Sequence, residues 1–218
     1  MNVRFNPNPT TNFQAKLISK AHIKSDDGLK ILELFALEGS SDMNFAKKYL
    51  RKFDLKSLYP EQKDYKDFDL WERVIRCAFA KLDDLDVVLV AKDKKPCGVM
   101  SYYERDGQVN LVDLAKWKAS PDDKDKVCIG KVLMHHLFNV AHKNNSLNIS
   151  LHPLQATPRG KDCRDFYSLF GFRRSANNTM NLFGADYSKK AKQLEDCFIY
   201  EKINSNKNVN LQKELFTI

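Results

Sequence analysis

The middle of the chain alternates between apolar and polar positions with the period of two that is typical of β-strands. A β-branched run, VVLVA over 87–91, ends at a turn from Asp93 to Pro96, and CGVMSYYER over 97–105 follows as a second strand. Asp106-Gly107 is a strong hairpin signal, because both residue types tolerate the positive φ of a tight turn. The return strand is VNLVDLAKWKA over 109–119. The pattern therefore predicts a run of antiparallel strands.

The first third of the chain starts with rough alternation and then changes to helical spacing of its apolar residues. The first helix is predicted to begin at Asp26-Asp27, where carboxylates satisfy free N–H groups, and to end at Gly39. Polar residues around Tyr59-Pro60 separate the second helix from the third. The predicted elements are a strand over 13–23 and helices with apolar stripes over Leu29–Leu37, Phe45–Phe53 and Leu70–Leu82.

The last part of the chain again mixes both periods. In order, it predicts a helix over 129–143, a strand over 146–154, a short helix over 163–169 that stops at Gly171, a strand over 172–175, a surface helix over 186–197 and a final strand over 198–203. Because hairpins and crossovers occur together, the fold class is α/β (α+β) with a mixed sheet. We expect a single domain over 13–203, with loosely ordered tails at 1–12 and 204–218.

Composition narrows the class of protein. The 218 residues are 43% hydrophobic and contain only 8 glycines and 7 prolines, which is typical of one globular domain. Five widely spaced cysteines without a C-x-x-C pair argue against a disulfide framework and a structural zinc site. No apolar run approaches the roughly 20 residues of a membrane helix, and Met1 to Pro9 lacks the apolar core of a signal peptide. We expect a cytoplasmic protein that makes no contact with membranes.

The formal net charge of +8 leaves two interpretations open. A basic field attracts anions, so an acidic or nucleic-acid partner and a phosphorylated cofactor are possible ligands. The same excess of lysine also arises from composition and solubility alone. No basic run is interleaved with aromatic residues in the way that RNA-binding surfaces are.

A polar loop between the predicted strand over 109–119 and the helix over 129–143 is the first piece of candidate chemistry. It leads into the start of that helix at Lys126 to Lys131, where free N–H groups and the helix dipole suit a diphosphate. Gly130 has no side chain where a phosphate would approach, and Lys124, Lys126 and Lys131 supply positive charge.

The second piece is the segment from Asp165 to Phe172, DFYSLFGF. Its phenylalanines are typical of a packed helix end, and Gly171 is typical of the left-handed residue after such an end. Tyr167 is a different case, because a tyrosine beside a thioester can donate a proton to the departing thiolate.

Together these pieces resemble the GNAT superfamily of acyl-CoA N-acyltransferases. Ala119-Ser120-Pro121 matches the family's Val-x-Pro strand end, and 125–130 occupies its Arg/Gln-x-x-Gly-x-Gly/Ala loop, one residue longer than is common. The family's Phe-Tyr-x-x-x-Gly-Phe is intact from Phe166 to Phe172. Three positions depart from the pattern: Cys128 replaces the first loop glycine, Asp125 stands where Arg or Gln is usual, and Gly160 stands where an Asn is common at the start of the later helix.

The resemblance implies a mostly antiparallel central sheet flanked by helices, with acetyl-CoA in a splay between the fourth and fifth predicted strands. Its pantetheine arm would pair with the backbone near Trp117 to Ala119, and no metal is implied. The implied cofactor-binding residues are Trp117, Lys118, Ala119, Lys126, Val127, Cys128, Ile129, Gly130, Lys131 and Phe166.

The resemblance also implies two catalytic residues. Asp113 occupies the position of a carboxylate that accepts the proton of an ammonium substrate, and Tyr167 protonates the leaving thiolate. Asp113 fits equally well as a strand-edge aspartate in a salt bridge, and Glu104 is a reserve base. Cys128 and Cys163 have no sequence-adjacent base, and His135 and His136 have no metal-ligand partner at helical spacing.

The expected function is transfer of an acetyl group from acetyl-CoA to a primary amine of a small molecule or protein. Three alternatives stay open: a weakly active or inactive binding module with this fold, an acyltransferase that docks RNA to reach an RNA-bound amine, and one delivered into another cell to modify a protein. Monomer and homodimer are both compatible with the sequence.

Overall fold

The computed structural model describes residues 15–25, 28–38, 44, 48, 52–61, 72–77, 85–123, 129–154, 162–184, 186–195, 199–202 and 208–209. Ten strands within these ranges form one sheet. They are β1 (Ala15–Ser25), β2 (Gly28–Leu37), β3 (Asp86–Lys92), β4 (Lys95–Arg105), β5 (Gln108–Lys116), β6 (Asn148–Leu151), β7 (Arg173–Arg174), β8 (Met180–Phe183), β9 (Ile199–Lys202) and β10 (Asn208–Val209).

The order across the sheet is β10-β1-β2-β3-β4-β5-β6-β8-β7, and β9 also pairs with β1. Each described strand pairing is antiparallel, with the exception of β5 and β6, which run parallel. Together with the helices this confirms the predicted fold class, an α+β arrangement with an open, mostly antiparallel sheet. The fourth and fifth strands of the sequence prediction correspond to β5 and β6.

The two central hairpins close as the sequence predicts. Asp93 and Lys94 join β3 to β4 with φ values of 49° and 66°, and Asp106 and Gly107 join β4 to β5 with φ values of 53° and 72°. Positive φ at both turn positions gives the twist that matches two right-handed strands. These turns fix the register of β3, β4 and β5.

The three named helices are α1 (Ile129–Lys143), α2 (Cys163–Ser168) and α3 (Tyr187–Glu195). All three confirm predicted helices, and Gly171 after α2 has a φ of +88°. Lys56–Leu58 forms a 3₁₀ turn, and 72–77 is helical. The remainder of the predicted helices over Phe45–Phe53 and Leu70–Leu82 lies largely outside the described residues.

The predicted helix over Leu29–Leu37 is wrong, because this segment is strand β2. It pairs with β1 through a hairpin whose Gly28 has a φ of +112°. Leu32 and Leu34 are buried on one face of the sheet, whereas Phe35 and Leu37 are buried on the other. A strand that is buried on both faces loses simple alternation, and the resulting apolar run is easily taken for a helical stripe.

The two faces of the sheet carry separate cores. One face packs under α1 and α3 and includes Leu133, Phe138 and Tyr187. The other face packs against segments that lie between β2 and β3 and includes Leu55, Tyr59 and Ile75. A long strand of the sheet therefore contributes side chains to both cores in alternation.

The end of the chain adds strands that the sequence pattern did not show. β8 lies in a segment for which no element was predicted, and β10 lies within 204–218, where a loose tail was expected. Backbone pairing of two to four residues needs no apolar pattern, which explains why both were missed. None of the helices in the described part of the chain is long and apolar enough to cross a membrane.

Candidate active site

The sheet opens where β5 and β6 separate. Their parallel pairing runs from Gln108↔Asn148 to Leu111↔Leu151, whereas β5 continues to Lys116. The register between β4 and β5 shifts at Ser101/Tyr102, which makes Val112 the extra residue of a β-bulge. Beyond Leu111, no strand in the described ranges pairs with β5 on the β6 side, so an opening forms beside the last residues of β5.

Backbone groups of β5 point into this opening. Trp117 donates its N–H to the Cys97 carbonyl of β4 at 2.8 Å. In an antiparallel ladder, residues bonded to one neighbour alternate with residues whose N–H and C=O point to the other side. Leu114 and Lys116 therefore direct their backbone groups away from β4, towards the opening.

Asp113 lies at the start of the opening. Its Oδ2 atom accepts a hydrogen bond from the Ser101 hydroxyl at 3.1 Å, across the β4–β5 pair. Ser101 is completely buried, whereas Asp113 is partly exposed. The carboxylate is therefore held by a buried partner and remains open on one side.

Tyr167 belongs to α2 and is buried. The Asp162 side chain caps this helix by accepting the Arg164 N–H at 2.8 Å. The Tyr167 ring packs edge-on against Phe166 and Phe172, at centroid distances of 5.2 and 5.9 Å. Burial raises the pKa of the Tyr167 phenol well above its ordinary value, and the neighbouring Cys163 and Asp113 raise it further. The catalytic roles of Asp113 and Tyr167 stay predictions.

The start of α1 is packed between two neighbours. A Cβ atom on Gly98 of β4 would lie 2.6 Å from Cγ2 of Ile129, and one on Gly130 would lie 3.0 Å from Cζ of Phe166. Gly130 thus makes room for an aromatic ring, a role that the sequence did not indicate. The first turn of α1 contains no acidic residue, which leaves the positive end of its dipole uncompensated by α1 itself.

Part of the predicted diphosphate loop lies outside the described residues. This part comprises Lys126, Val127 and Cys128, together with Lys124 and Asp125. Their roles stay predictions. Ile129 is buried at the start of α1, and Lys131 in the same turn is half-buried and engaged in an interaction of its own.

The amides after β5 already have acceptors within the protein. Besides the Trp117 bond to Cys97, the Lys118 N–H donates to the Tyr59 hydroxyl at 3.1 Å and the Ala119 N–H donates to Asp123 Oδ2 at 3.1 Å. The Trp117 ring is buried and its Nε1 donates to the Pro96 carbonyl at 2.8 Å. In this conformation the three amides are not available to pair with a pantetheine arm.

A buried ion pair connects the end of β3 to the turn that follows β5. Lys92, the last residue of β3, contacts Asp123 at 2.6 Å, and their side chains are only 5% and 10% exposed. Pro121 lies in a turn closed by the Asp123 N–H, which donates to the Ser120 carbonyl at 3.0 Å. Lys92 was not a candidate on sequence grounds, because its partner is 31 residues away.

A cleft of about 270 Å³ lies against the end of β5, on the face of the sheet that carries Trp117. Phe53 and Trp117 meet edge-on there, with ring centroids 5.3 Å apart. The cleft is lined by Lys52, Phe53, Asp54, Ser57, Leu58, Lys95, Pro96, Trp117, Lys118 and Ala119. The lining carries three ammonium groups and one carboxylate, and the ammonium group of Lys118 is also paired with Glu61 at 3.0 Å.

Glu104, the reserve base, is exposed at the hairpin end of β4. It accepts hydrogen bonds from Asn144 and Ser146 in the turn before β6. Its β5 partner is Val109, four residues before Asp113, which is about 13 Å along the strand. The structure therefore does not bring Glu104 to Asp113 and Tyr167.

Of the two candidate cysteines, Cys128 lies outside the described residues, and burial raises the pKa of Cys163, the opposite of what an activated thiol needs. Burial raises the pKa of Cys97 in the same way. His135 Nε2 contacts Glu195 Oε1 at 3.0 Å, which ties α1 to α3. Within the described residues, no three His, Cys, Asp or Glu side chains form a group that could hold a metal.

The fold and its opening define an α+β protein with a mostly antiparallel sheet that separates at a single parallel strand pair. No family model matches the sequence, and no curated protein matches it. Solved structures of acetyltransferases match at high probability.

One is the PaiA N-acetyltransferase of Thermoplasma acidophilum in complex with coenzyme A, with 14% identity, 69% of this chain and 99% of that chain covered and a TM-score of 0.46. Another is a Bacillus subtilis acetyltransferase in complex with CoA, with 15% identity, coverage of 56% and 94% and a TM-score of 0.41. A third is the ribosomal-protein-S18-alanine N-acetyltransferase of Escherichia coli, with 12% identity, coverage of 70% and 93% and a TM-score of 0.44. Similarity at this level does not identify a substrate for the present chain.

Proposed function

We propose that this protein transfers an acetyl group from acetyl-CoA to a primary amine by direct attack. The observation that carries the proposal is the opening beside β5, at whose start the Asp113 carboxylate accepts a hydrogen bond from the buried Ser101 hydroxyl at 3.1 Å. In the proposed reaction this carboxylate is the proton acceptor and the phenol of Tyr167 is the proton donor.

The edge of β5 that no described strand covers indicates which residues would hold acetyl-CoA. An extended pantetheine arm can pair with a strand edge, and the backbone groups of Leu114 and Lys116 point into the opening. The backbone contacts with the pantetheine arm are therefore proposed at Leu114 and Lys116, a few residues before Trp117 to Ala119, where the sequence resemblance implies them. The diphosphate would lie at the start of α1, near Ile129 to Lys131 and the preceding loop.

The proposed reaction transfers the acetyl group directly from the thioester to the amine. Asp113 accepts a proton from the ammonium group of the acceptor, directly or through water, so that the neutral amine can attack. The new N–C bond forms as the C–S bond breaks, and backbone N–H groups of β5 stabilise the negative charge that develops on the carbonyl oxygen. Tyr167 donates its phenolic proton to the departing thiolate, and the resulting phenolate takes up the proton that the new amide nitrogen loses, directly or through water.

Packing around these groups supports their roles. The Ser101 hydroxyl orients the carboxylate of Asp113. The rings of Phe166 and Phe172 fix the orientation of Tyr167, which is 9% exposed. Because its pKa is raised, the phenol stays protonated and is ready to donate at neutral pH.

Acetyl-CoA binding measured by calorimetry tests the proposal. Lys116→Pro removes the N–H that points into the opening and leaves the β4 pairing intact, since that N–H does not face β4. Lys116→Ala is the matched control, because it changes the same side chain and keeps the N–H. We expect binding by the wild type and the Ala variant, and about tenfold weaker binding by the Pro variant, which corresponds to ~1.4 kcal/mol.

Absence of acetyl-CoA binding by the folded wild type would overturn the proposal. Binding without acetyl transfer to any amine in a broad screen of small molecules, peptides and RNA-bound amines would favour the binding-module alternative instead.

A further inference from the structure

The edge of β5 that faces the opening does not by itself fix where a ligand pairs. Trp117 donates its N–H to the Cys97 carbonyl of β4 at 2.8 Å, so the N–H groups of Lys116 and Lys118, before and after it, point to the other side. An extended ligand can shift along such an edge by two residues and meet the same pattern of donors. Two strand residues span about 7 Å, so a ligand shifted towards Lys118 would hold its thioester about 7 Å further from Asp113.

Tyr59 occupies the last of these donors. Its hydroxyl accepts the Lys118 N–H at 3.1 Å. The Lys118 ammonium lies over the same ring, 5.1 Å from its centroid, and pairs with Glu61 at 3.0 Å. The Lys118 N–H therefore has an acceptor within the protein, whereas the backbone groups of Leu114 and Lys116 point into the opening.

Tyr59 is itself held in place by its surroundings. Its N–H donates to the Lys56 carbonyl at 3.0 Å, at the end of the 3₁₀ turn over Lys56–Leu58. The Asp54 carboxylate accepts the Lys56 N–H at 3.0 Å. The Tyr59 ring is 5% exposed and belongs to the same core as Trp117. A side chain that is already ordered by packing holds its hydroxyl in one position before a ligand binds.

We propose that Tyr59 is a positioning residue that fixes the register of acetyl-CoA on β5. Because its hydroxyl occupies the Lys118 N–H, the pantetheine arm pairs at Leu114 and Lys116, and the thioester reaches Asp113. This inference rests on the proposed function. Tyr59 is not among the cofactor-binding residues that the sequence resemblance implies.

The inference predicts a change in acetyl-CoA affinity that a purely structural role of the hydroxyl does not. Tyr59→Phe keeps the ring and releases the Lys118 N–H as an additional donor on the open edge. If Tyr59 fixes the register, acetyl-CoA should bind the variant about threefold to tenfold more tightly, because a second register becomes available. If the hydroxyl only stabilises the fold, binding is unchanged or weaker.

Hydrogen exchange at single amides, measured by NMR with and without acetyl-CoA, reports the register directly. In the wild type, acetyl-CoA should protect the Leu114 and Lys116 amides, and the Lys118 amide should be protected in both states. In Tyr59→Phe, the Lys118 amide should become protected only with acetyl-CoA, and the gain at Leu114 should be smaller. Protection confined to Leu114 and Lys116 in the folded variant would overturn the inference.

Calorimetry and kinetics give a second readout. Binding in a register that cannot react lowers kcat and the KM for acetyl-CoA by the same factor, so kcat/KM stays constant. For Tyr59→Phe we expect both to fall about threefold to tenfold, together with the Kd for acetyl-CoA. A lower kcat with an unchanged or higher KM contradicts a role in setting the register.

Tyr187→Phe is the matched control for loss of a buried tyrosine hydroxyl. The Tyr187 hydroxyl donates to the Leu182 carbonyl at 3.3 Å, and its ring is 1% exposed in the core on the other face of the sheet. This variant should lose stability without a change in the Kd for acetyl-CoA or in the protected amides. Equal changes in Tyr59→Phe and Tyr187→Phe would show a general response of the fold and overturn the inference.

The wild type alone tests the inference if Tyr59→Phe does not fold. Acetyl-CoA should change the amide chemical shifts of Leu114 and Lys116 strongly and that of Lys118 little, because the Lys118 N–H keeps its bond to Tyr59. A change at Lys118 as large as that at Lys116 overturns the inference alone. Failure of the folded wild type to bind acetyl-CoA removes the proposed function itself.

Discussion

The ring of Phe166 fills the space beside Gly130 that any larger residue at this position would occupy. A Cβ on Gly130 would lie 3.0 Å from Cζ and 3.3 Å from Cε2 of that ring. Phe166 in turn packs edge-on against Phe170, with centroids 5.0 Å apart. The first turn of α1 therefore packs closely against the Phe166 ring, and the glycine at position 130 gives that ring room.

Gly130→Ala should destabilise the fold by about 1–3 kcal/mol through overpacking, partly offset by the better helix propensity of alanine. Phe166→Leu removes the ring that causes the contact. In the double variant the alanine methyl has more space. The two losses of unfolding free energy should therefore not be additive, and the coupling energy should be about 1 kcal/mol. Urea unfolding of the four proteins measures this. Strict additivity would show that the ring does not respond to residue 130.

Asp113→Asn should lower kcat by about 10²- to 10⁴-fold, because the carboxylate that accepts the ammonium proton is gone. Acetyl-CoA affinity should change by less than about threefold, since the side chain is not assigned to cofactor binding. Ser101→Ala removes the hydrogen bond that orients this carboxylate and should give a smaller loss of kcat. Steady-state kinetics with an identified amine provides the measurement, and full activity of Asp113→Asn would exclude the residue as the base.

Tyr167→Phe should reduce kcat by about 10²-fold while the aromatic packing and the acetyl-CoA affinity are retained. The sign of the pH effect follows from the direction of the shift. Because the pKa of Tyr167 is raised above the ordinary value of about 10, the phenol keeps its proton at every pH up to that value.

A pH–rate profile therefore should show no loss of wild-type activity from Tyr167 ionisation below about pH 10. An alkaline limb with an apparent pKa of about 8–9 that disappears in Tyr167→Phe would contradict this assignment.

His136 should make the protein sensitive to acid. Burial, with a smaller effect of His135, lowers the pKa of His136 to about 4, and its Nε2 lies 3.3 Å from the Tyr102 hydroxyl. The unfolded chain binds a proton near pH 6.5, whereas the folded protein resists it down to about pH 4. Stability is therefore complete above pH 6.5 and falls by up to about 3 kcal/mol as the pH drops to 4.

Urea unfolding at pH 7.0, 5.5 and 4.5 tests this prediction with His136→Gln, which cannot gain a proton. The variant should lose less stability on acidification than the wild type. His142→Gln is the control, because His142 is an exposed histidine on the same helix. A wild-type slope in His136→Gln would assign the acid sensitivity to other groups, such as His135.

Much of the fold follows from local sequence signals. The Asp106-Gly107 turn, the bounds of α1 and the left-handed Gly171 each have a physical cause within a few residues, so the sequence alone predicts them. β2 shows the limit of this reasoning. Whether Leu32 and Phe35 lie on one helix face or on two strand faces depends on what covers each side of the sheet, and that is decided by distant residues.

The candidate site also combines residues that the sequence predicts with residues that it does not. Asp113 and Tyr167 could be named from a motif, and their catalytic roles stay predictions. Ser101 and Lys92 could not, because their partners are set by strand register and by a contact across 31 residues. The pattern of apolar and polar positions does not predict the partners of Ser101 and Lys92, because it is the same whether or not a carboxylate faces these side chains.

The outer edge of β1 has a consequence for how the chain is made. Its partners on that side are β9 and β10. Ala15 therefore cannot pair until Val209 has been synthesised, and His22 cannot pair until Ile199 has been synthesised. Until those late residues leave the ribosome, the nascent protein presents a row of unsatisfied backbone groups on its first-made strand. Synthesis therefore passes through a period in which the edge of β1 is open to pairing with another unfinished copy.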